Sequence, residues 1–115
     1  MLTWHYRVVD FTSAYSHGFA RVAACTVPVS IADPETNADA VLVEARACHD
    51  ESVAVAIFPE LVLSGYSIED LFLQDVVLDK VHTALERIVE ASRDLMPVLV
   101  VGAPLARGNR VHNCA

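Results

Sequence analysis

Lysine is nearly absent: the chain's 115 residues hold one, Lys80. With eight basic residues against fifteen acidic ones the net charge is −7, and no run of Lys or Arg occurs anywhere. A partner held through a phosphate backbone needs clustered cations, so nucleic acid is excluded as the expected ligand. Cysteine is scarce and oddly counted. Cys25, Cys48 and Cys114 show no C-x-x-C spacing, so neither a disulfide framework nor a zinc site is expected. All three read as small buried hydrophobes. His5, His17, His49, His82 and His112 are scattered without an H-x-x-x-H pair, and no metal site is expected. No window approaches the ~20 apolar residues of a membrane span. The opening "MLTWHYRVVDFTSAYSHGF" has neither the basic region nor the apolar core of a signal peptide, which makes a cytoplasmic location the expectation.

What is present is apolar: 54% of residues are hydrophobic and 20% charged, the balance of a globular domain. Residues 1–18 show no clear period and read as an arm. "RVAACTVPV" (Arg21–Val29) is a nearly continuous apolar run, the pattern of a strand covered on both faces. Asp33 then offers an N-cap, with Pro34 at the first helical position and Glu35 in the first turn. Ala38, Val41, Leu42, Ala45 and Cys48 follow at helical spacing. Ser52–Phe58, "SVAVAIF", reads as a second buried strand. A longer helix is expected from about Asp75 to Arg93, with Leu78, Val81, Leu85, Ile88 and Val89 on one face. "MPVLVVGAPL" reads as a third strand broken by Gly102 and Pro104, and "RVHNCA" as a fourth after the Gly-Asn turn of "RGNR". The order β-α-β-α-β-β implies an α/β fold with parallel pairing and a terminal antiparallel hairpin. A sheet this apolar needs further cover, and the chain stops inside an element. The expectation is the front part of a larger domain.

Functional groups in open α/β sheets gather at the carboxyl ends of strands. Glu60 sits there, after the stiff Pro59, in "FPELVLSGYSIEDLFLQD" (Phe58–Asp75). Partly desolvated, its carboxylate would suit a general base; the alternative is a residue that caps the following turn or pairs with a surface arginine. Glu69 and Asp70 open the next helical stretch, where acidic residues favour the dipole, and read as structural.

The same stretch resembles the first signature of the nitrilase superfamily of carbon–nitrogen hydrolases. Together with "SAYSHGFARVAACT", "DPETNA", "PVLVVGAPL" and "HNCA", it resembles more closely the amino-terminal glutaminase domain of the glutamine-dependent NAD+ synthetase family, in its two-domain actinobacterial form. The resemblance implies an α-β-β-α sandwich of which this chain is the first half. Residues 13–115 would be a partial hydrolase domain, and residues 1–12 an amino-terminal extension. It implies glutamine as substrate, Glu60 as general base, and a nucleophilic cysteine and an oxyanion-stabilising lysine later in the chain. Neither Lys80 nor any of the three cysteines matches those roles. Tyr66 matches a tyrosine lining the glutamine pocket; packing as a turn aromatic is its structural alternative. The released ammonia would pass to a synthetase domain using ATP and Mg2+, with no cofactor in this portion. A homo-oligomer is implied for the full-length chain, and no activity for this piece alone. Other readings are a free-standing amidase of the same superfamily and a non-catalytic α/β module. The module is the weaker of these, since "CTVPVS" has neither paired acids nor a phosphate loop.

Overall fold

The computed structural model describes residues 10–115. The reading of residues 1–12 as an extension therefore falls mostly outside the described residues. A 3-10 turn at Ala14–His17 precedes β1 (Val22–Ala24), α1 (Pro34–Asp50), β2 (Val55–Ile57), a second 3-10 turn at Glu69–Leu73 and α2 (Asp75–Ser92). The chain closes with β3 (Val98–Val100), β4 (Ala103–Arg107) and β5 (Arg110–Cys114). Strands β1, β2 and β3 form a parallel sheet in that order, and β4 and β5 form a separate antiparallel hairpin.

The register explains the layering. Ala23, Ala56 and Leu99 stand side by side across the three strands. Side chains alternate along a strand, so this row points one way and its neighbours the other. Ala56 is fully buried, and Ala23 and Leu99 pack on the core with it. α1 contributes Ala38, Val41, Leu42, Ala45 and Cys48 to that core, the stripe expected from its spacing. α2 contributes Val81, Ala84 and Ile88. Its buried face differs from the expected one: Val77 and Ala84 are buried, Leu78 and Leu85 half-buried, and Val89 exposed. Small Ala84 lies where α1 and α2 approach, and spacing alone gave more weight to the larger residues.

Four further expectations are corrected. β1 spans three residues rather than Arg21–Val29, because parallel pairing with β2 ends at Ala24–Ile57. Among the described residues, the sheet is covered on one face only. Val22 (66% exposed), Ile57 (50%) and Val98 (64%) occupy the face opposite the helices. The expected third strand divides at Val101–Gly102, so that β3 joins the parallel sheet and β4 leaves it for β5. Among the cysteines, Cys25 and Cys48 are buried but Cys114 is only half-buried. The described part of the amino-terminal arm is tied down by the Tyr15 hydroxyl, which donates to the Ser52 carbonyl at 2.5 Å; just before β1, Arg21 donates to the Glu51 carbonyl.

Among the described residues, no helix is long and apolar enough to cross a membrane.

Candidate active site at the end of the second strand

The chain leaves β2 at its carboxyl end through Phe58, whose N–H donates to the Val100 carbonyl and keeps the exit aligned with β3. Pro59 stiffens the next step. Leu61 then takes a left-handed conformation, φ 53°, which costs a non-glycine residue about 1–2 kcal/mol. Its buried side chain and its carbonyl hold it there. That carbonyl accepts from Ser64 N at 3.1 Å and Gly65 N at 2.8 Å. Leu61, Val62, Leu63 and Ser64 are all buried, so the turn is part of the core and Glu60 is its outward-facing member.

Two distant segments complete this turn. Gly102 lies directly against it: a Cβ there would stand 2.6 Å from Leu61 N and the Pro59 carbonyl oxygen and 2.8 Å from Glu60 Cα. Only a glycine permits that backbone approach. On the other side, Asn37 of α1 is 1% exposed. Its Nδ2 donates to the Leu63 carbonyl at 2.9 Å and the Ser30 carbonyl at 2.8 Å, and its Oδ1 accepts from Ser30 N at 2.7 Å. Asn37 therefore satisfies the backbone of both the Ser30 loop and the Glu60 turn. The sequence carries a signal for it. Asn37 falls three residues after Pro34 and four before Val41, so a polar residue stands on the buried stripe.

Glu60 is exposed, not partly desolvated as expected. Its Oε1 accepts a hydrogen bond from Asn113 Nδ2 on β5. Among the described residues no basic side chain pairs with it, and no backbone N–H donates to its carboxylate. Among the described residues, then, Glu60 neither pairs with an arginine nor caps the turn. Tyr66, on the same turn, is 70% exposed and does not pack as a turn aromatic. Glu69 and Asp70 open the 3-10 turn ahead of α2, both exposed.

Among the described residues, one constellation suited to a metal emerges that spacing did not reveal. Cys25, Glu44 and Cys48 offer ligand atoms within 4.8 Å of one another. The two sulfurs lie 3.7 Å apart. Burial, reinforced by the neighbouring Cys48 and by Glu44, pushes the Cys25 thiol up to about 11. A metal binds the thiolate, so an ion here would have to displace the proton that burial holds on Cys25. Lys80 lines a groove of about 230 Å³ between α1 and α2 with Asp33, Glu35, Thr83, Ala84 and Arg87; Glu60 has no part in it.

No family model matches the chain. It is 60% identical over 107 residues to the glutamine-dependent NAD(+) synthetase of Mycobacterium bovis (strain ATCC BAA-935 / AF2122/97), and equally to that of Mycobacterium leprae (strain TN). Each match covers 93% of this chain and 16% of the relative. The glutamine-dependent NAD(+) synthetase of Xylella fastidiosa (strain Temecula1 / ATCC 700964) is 37% identical over 98 residues, covering 84% of this chain and 18% of the relative. Among solved structures, a glutamine-dependent NAD(+) synthetase from Cytophaga hutchinsonii matches with a TM-score of 0.76 and 26% identity. That match covers 83% of this chain and 16% of that one. The chain thus spans about one sixth of the length of these relatives.

Proposed function

We propose that this chain is the opening of the glutaminase domain of a glutamine-hydrolysing NAD+ synthetase, with Glu60 as general base. Residues 13–115 begin the carbon–nitrogen hydrolase domain, residues 1–12 precede it, and the remainder follows Ala115. The observation that carries the reading is the 60% identity over 107 residues, a length that leaves at most eight residues of this chain unmatched and so includes the Glu60 turn. The geometry supports it. A carboxylate that meets no cation or backbone donor among the described residues stands at the carboxyl end of the sheet's central strand, on a turn fixed by the core.

The chemistry follows from those properties. A cysteine thiol near its ordinary range is mostly protonated at neutral pH and needs a base. Glu60 takes that proton as the sulfur attacks the carboxamide carbon of glutamine. It returns the proton to the departing ammonia, then takes one from the water that cleaves the thioester. A lysine, supplied like the cysteine by the following chain, stabilises the tetrahedral oxyanion. Tyr66 lines the glutamine pocket. The uncovered face of Val22, Ile57 and Val98 is the surface against which the second sheet of an α-β-β-α sandwich closes, which desolvates the rim where Glu60 stands. The ammonia then amidates nicotinic acid adenine dinucleotide in a synthetase domain, where ATP and Mg2+ bind. The glycines here, Gly18, Gly65, Gly102 and Gly108, form no phosphate-cradling loop at a helix start, so the residues present do not fit those cofactors. The full-length protein is proposed to be a cytoplasmic homo-oligomer.

The test is Glu60→Gln in the full-length protein. Glutamine-driven NAD+ formation should fall by about 10²-fold or more, the scale of a lost general base, while ammonia-driven formation persists. Equal loss of both activities contradicts the role.

A further inference from the structure

We infer that Asn113 is the positioning residue for Glu60, an inference that rests on the glutaminase reading above. β5 is set in register by the tight turn at Gly108 and Asn109, which pairs Arg107 with Arg110 and places Asn113 opposite Pro104. The hairpin is in turn docked on the Glu60 turn through its root. Gly102 abuts Pro59, Glu60 and Leu61, Leu63 N donates to the Gly102 carbonyl at 3.4 Å, and Ala103 and Pro104 are buried. The distance along the chain from Glu60 to Asn113 is therefore bridged by rigid steps, and the Asn113 amide arrives at the carboxylate by construction of the fold.

Asn113 Nδ2 donates to Glu60 Oε1. Among the described residues nothing donates to Oε2. One oxygen is thus anchored and the other left to take a proton. The donor type suits the task. A carboxamide N–H fixes the direction of a carboxylate but cannot itself accept the proton, and it brings no charge to compete for the anion. Without it, an exposed glutamate side chain rotates freely among rotamers, and a displacement of about 1 Å at a reacting group can cost on the order of 10²-fold in rate.

The experiment compares Asn113→Ala and Asn113→Asp in the full-length protein, with Glu60→Gln as reference. Asn113→Ala should lower the glutamine-driven kcat by roughly 10- to 100-fold, with KM for glutamine and ammonia-driven turnover within about 2-fold of the parent. Asn113→Asp keeps the shape but replaces the donor with a second carboxylate, so its loss should exceed that of Ala; a residue needed only for packing would show the reverse order. If Asn113→Ala does not fold, Asn113→Ser, which is small and keeps a donor, gives the same reading between wild type and Asp. Glutamine-driven rates within about 2-fold of wild type for both variants overturn the proposal, as does equal loss with either nitrogen source. If Glu60→Gln itself retains glutamine-driven activity, the glutaminase reading fails and this inference falls with it. An inactive Glu60→Gln beside fully active Asn113 variants sinks the inference alone.

Discussion

The first turn of α1 and the turn carrying Glu60 are built in opposite ways. In α1 the determinants are neighbours in sequence: Asp33 accepts from Thr36 N at 3.2 Å and from the Thr36 hydroxyl at 2.7 Å, and Pro34 sits at the first helical position. At the Glu60 turn the determinants are remote. Gly102 supplies the space, Asn37 the hydrogen bonds and Asn113 the partner for the carboxylate. The first region would form much the same cap in another protein. The second exists only because three other segments converge on it, which is how a strained backbone is sustained at a site meant to hold one side chain still.

The sharpest way to break that contrast is Gly102→Ala. The added methyl meets backbone at 2.6 Å on two sides, and backbone cannot yield as a side-chain tip can. About 3 kcal/mol or more of stability should be lost, read by thermal or denaturant unfolding of the full-length protein. A change under about 1 kcal/mol would show that the turn and β4 are not held in this contact. Asn37→Ala tests the link between the two regions, because the residue lies on α1 yet serves the turn. It leaves the Ser30 N–H and the Ser30 and Leu63 carbonyls short of a partner. The expected cost is about 2–4 kcal/mol, with glutamine-driven activity falling before ammonia-driven activity as the turn loosens. Loss confined to helix content, with the nitrogen-source ratio unchanged, would separate the regions.

The smallest effect belongs to the local cap. The bonds from Thr36 hold the Asp33 carboxyl below its ordinary value. A depressed carboxyl contributes stability above its unfolded pKa, near ~3.9, and loses it as pH falls through the lower folded value. Asp33→Ala should therefore lower the unfolding temperature slightly at pH 7, and the difference from the parent should vanish once the pH falls below the lowered folded value. A difference that persists there would assign the effect to something other than the ionised cap.

The same division decides what could be read from the sequence. α1, its cap and its buried stripe were legible because the signals repeat every three or four residues. The β4–β5 hairpin was legible from Gly108 and Asn109. The position of Glu60 was legible from Pro59 and the apolar strand before it. The Gly102 contact was not: a glycine inside an apolar run shows that a strand breaks, not which backbone it meets. Asn113 gave no sign of its partner, because the bond to Glu60 depends on hairpin register and docking together. The open face of Val22, Ile57 and Val98 was hidden for a different reason. A continuous apolar run states that both faces need cover, and cannot state that the described residues cover only one of them.

The measurement that bears most directly on Glu60 as the base is the ratio of glutamine-driven to ammonia-driven NAD+ formation in full-length Glu60→Gln, taken on one preparation. The expected ratio is lowered by about 10²-fold or more, through the glutamine rate alone. A ratio equal to that of the parent protein would contradict it.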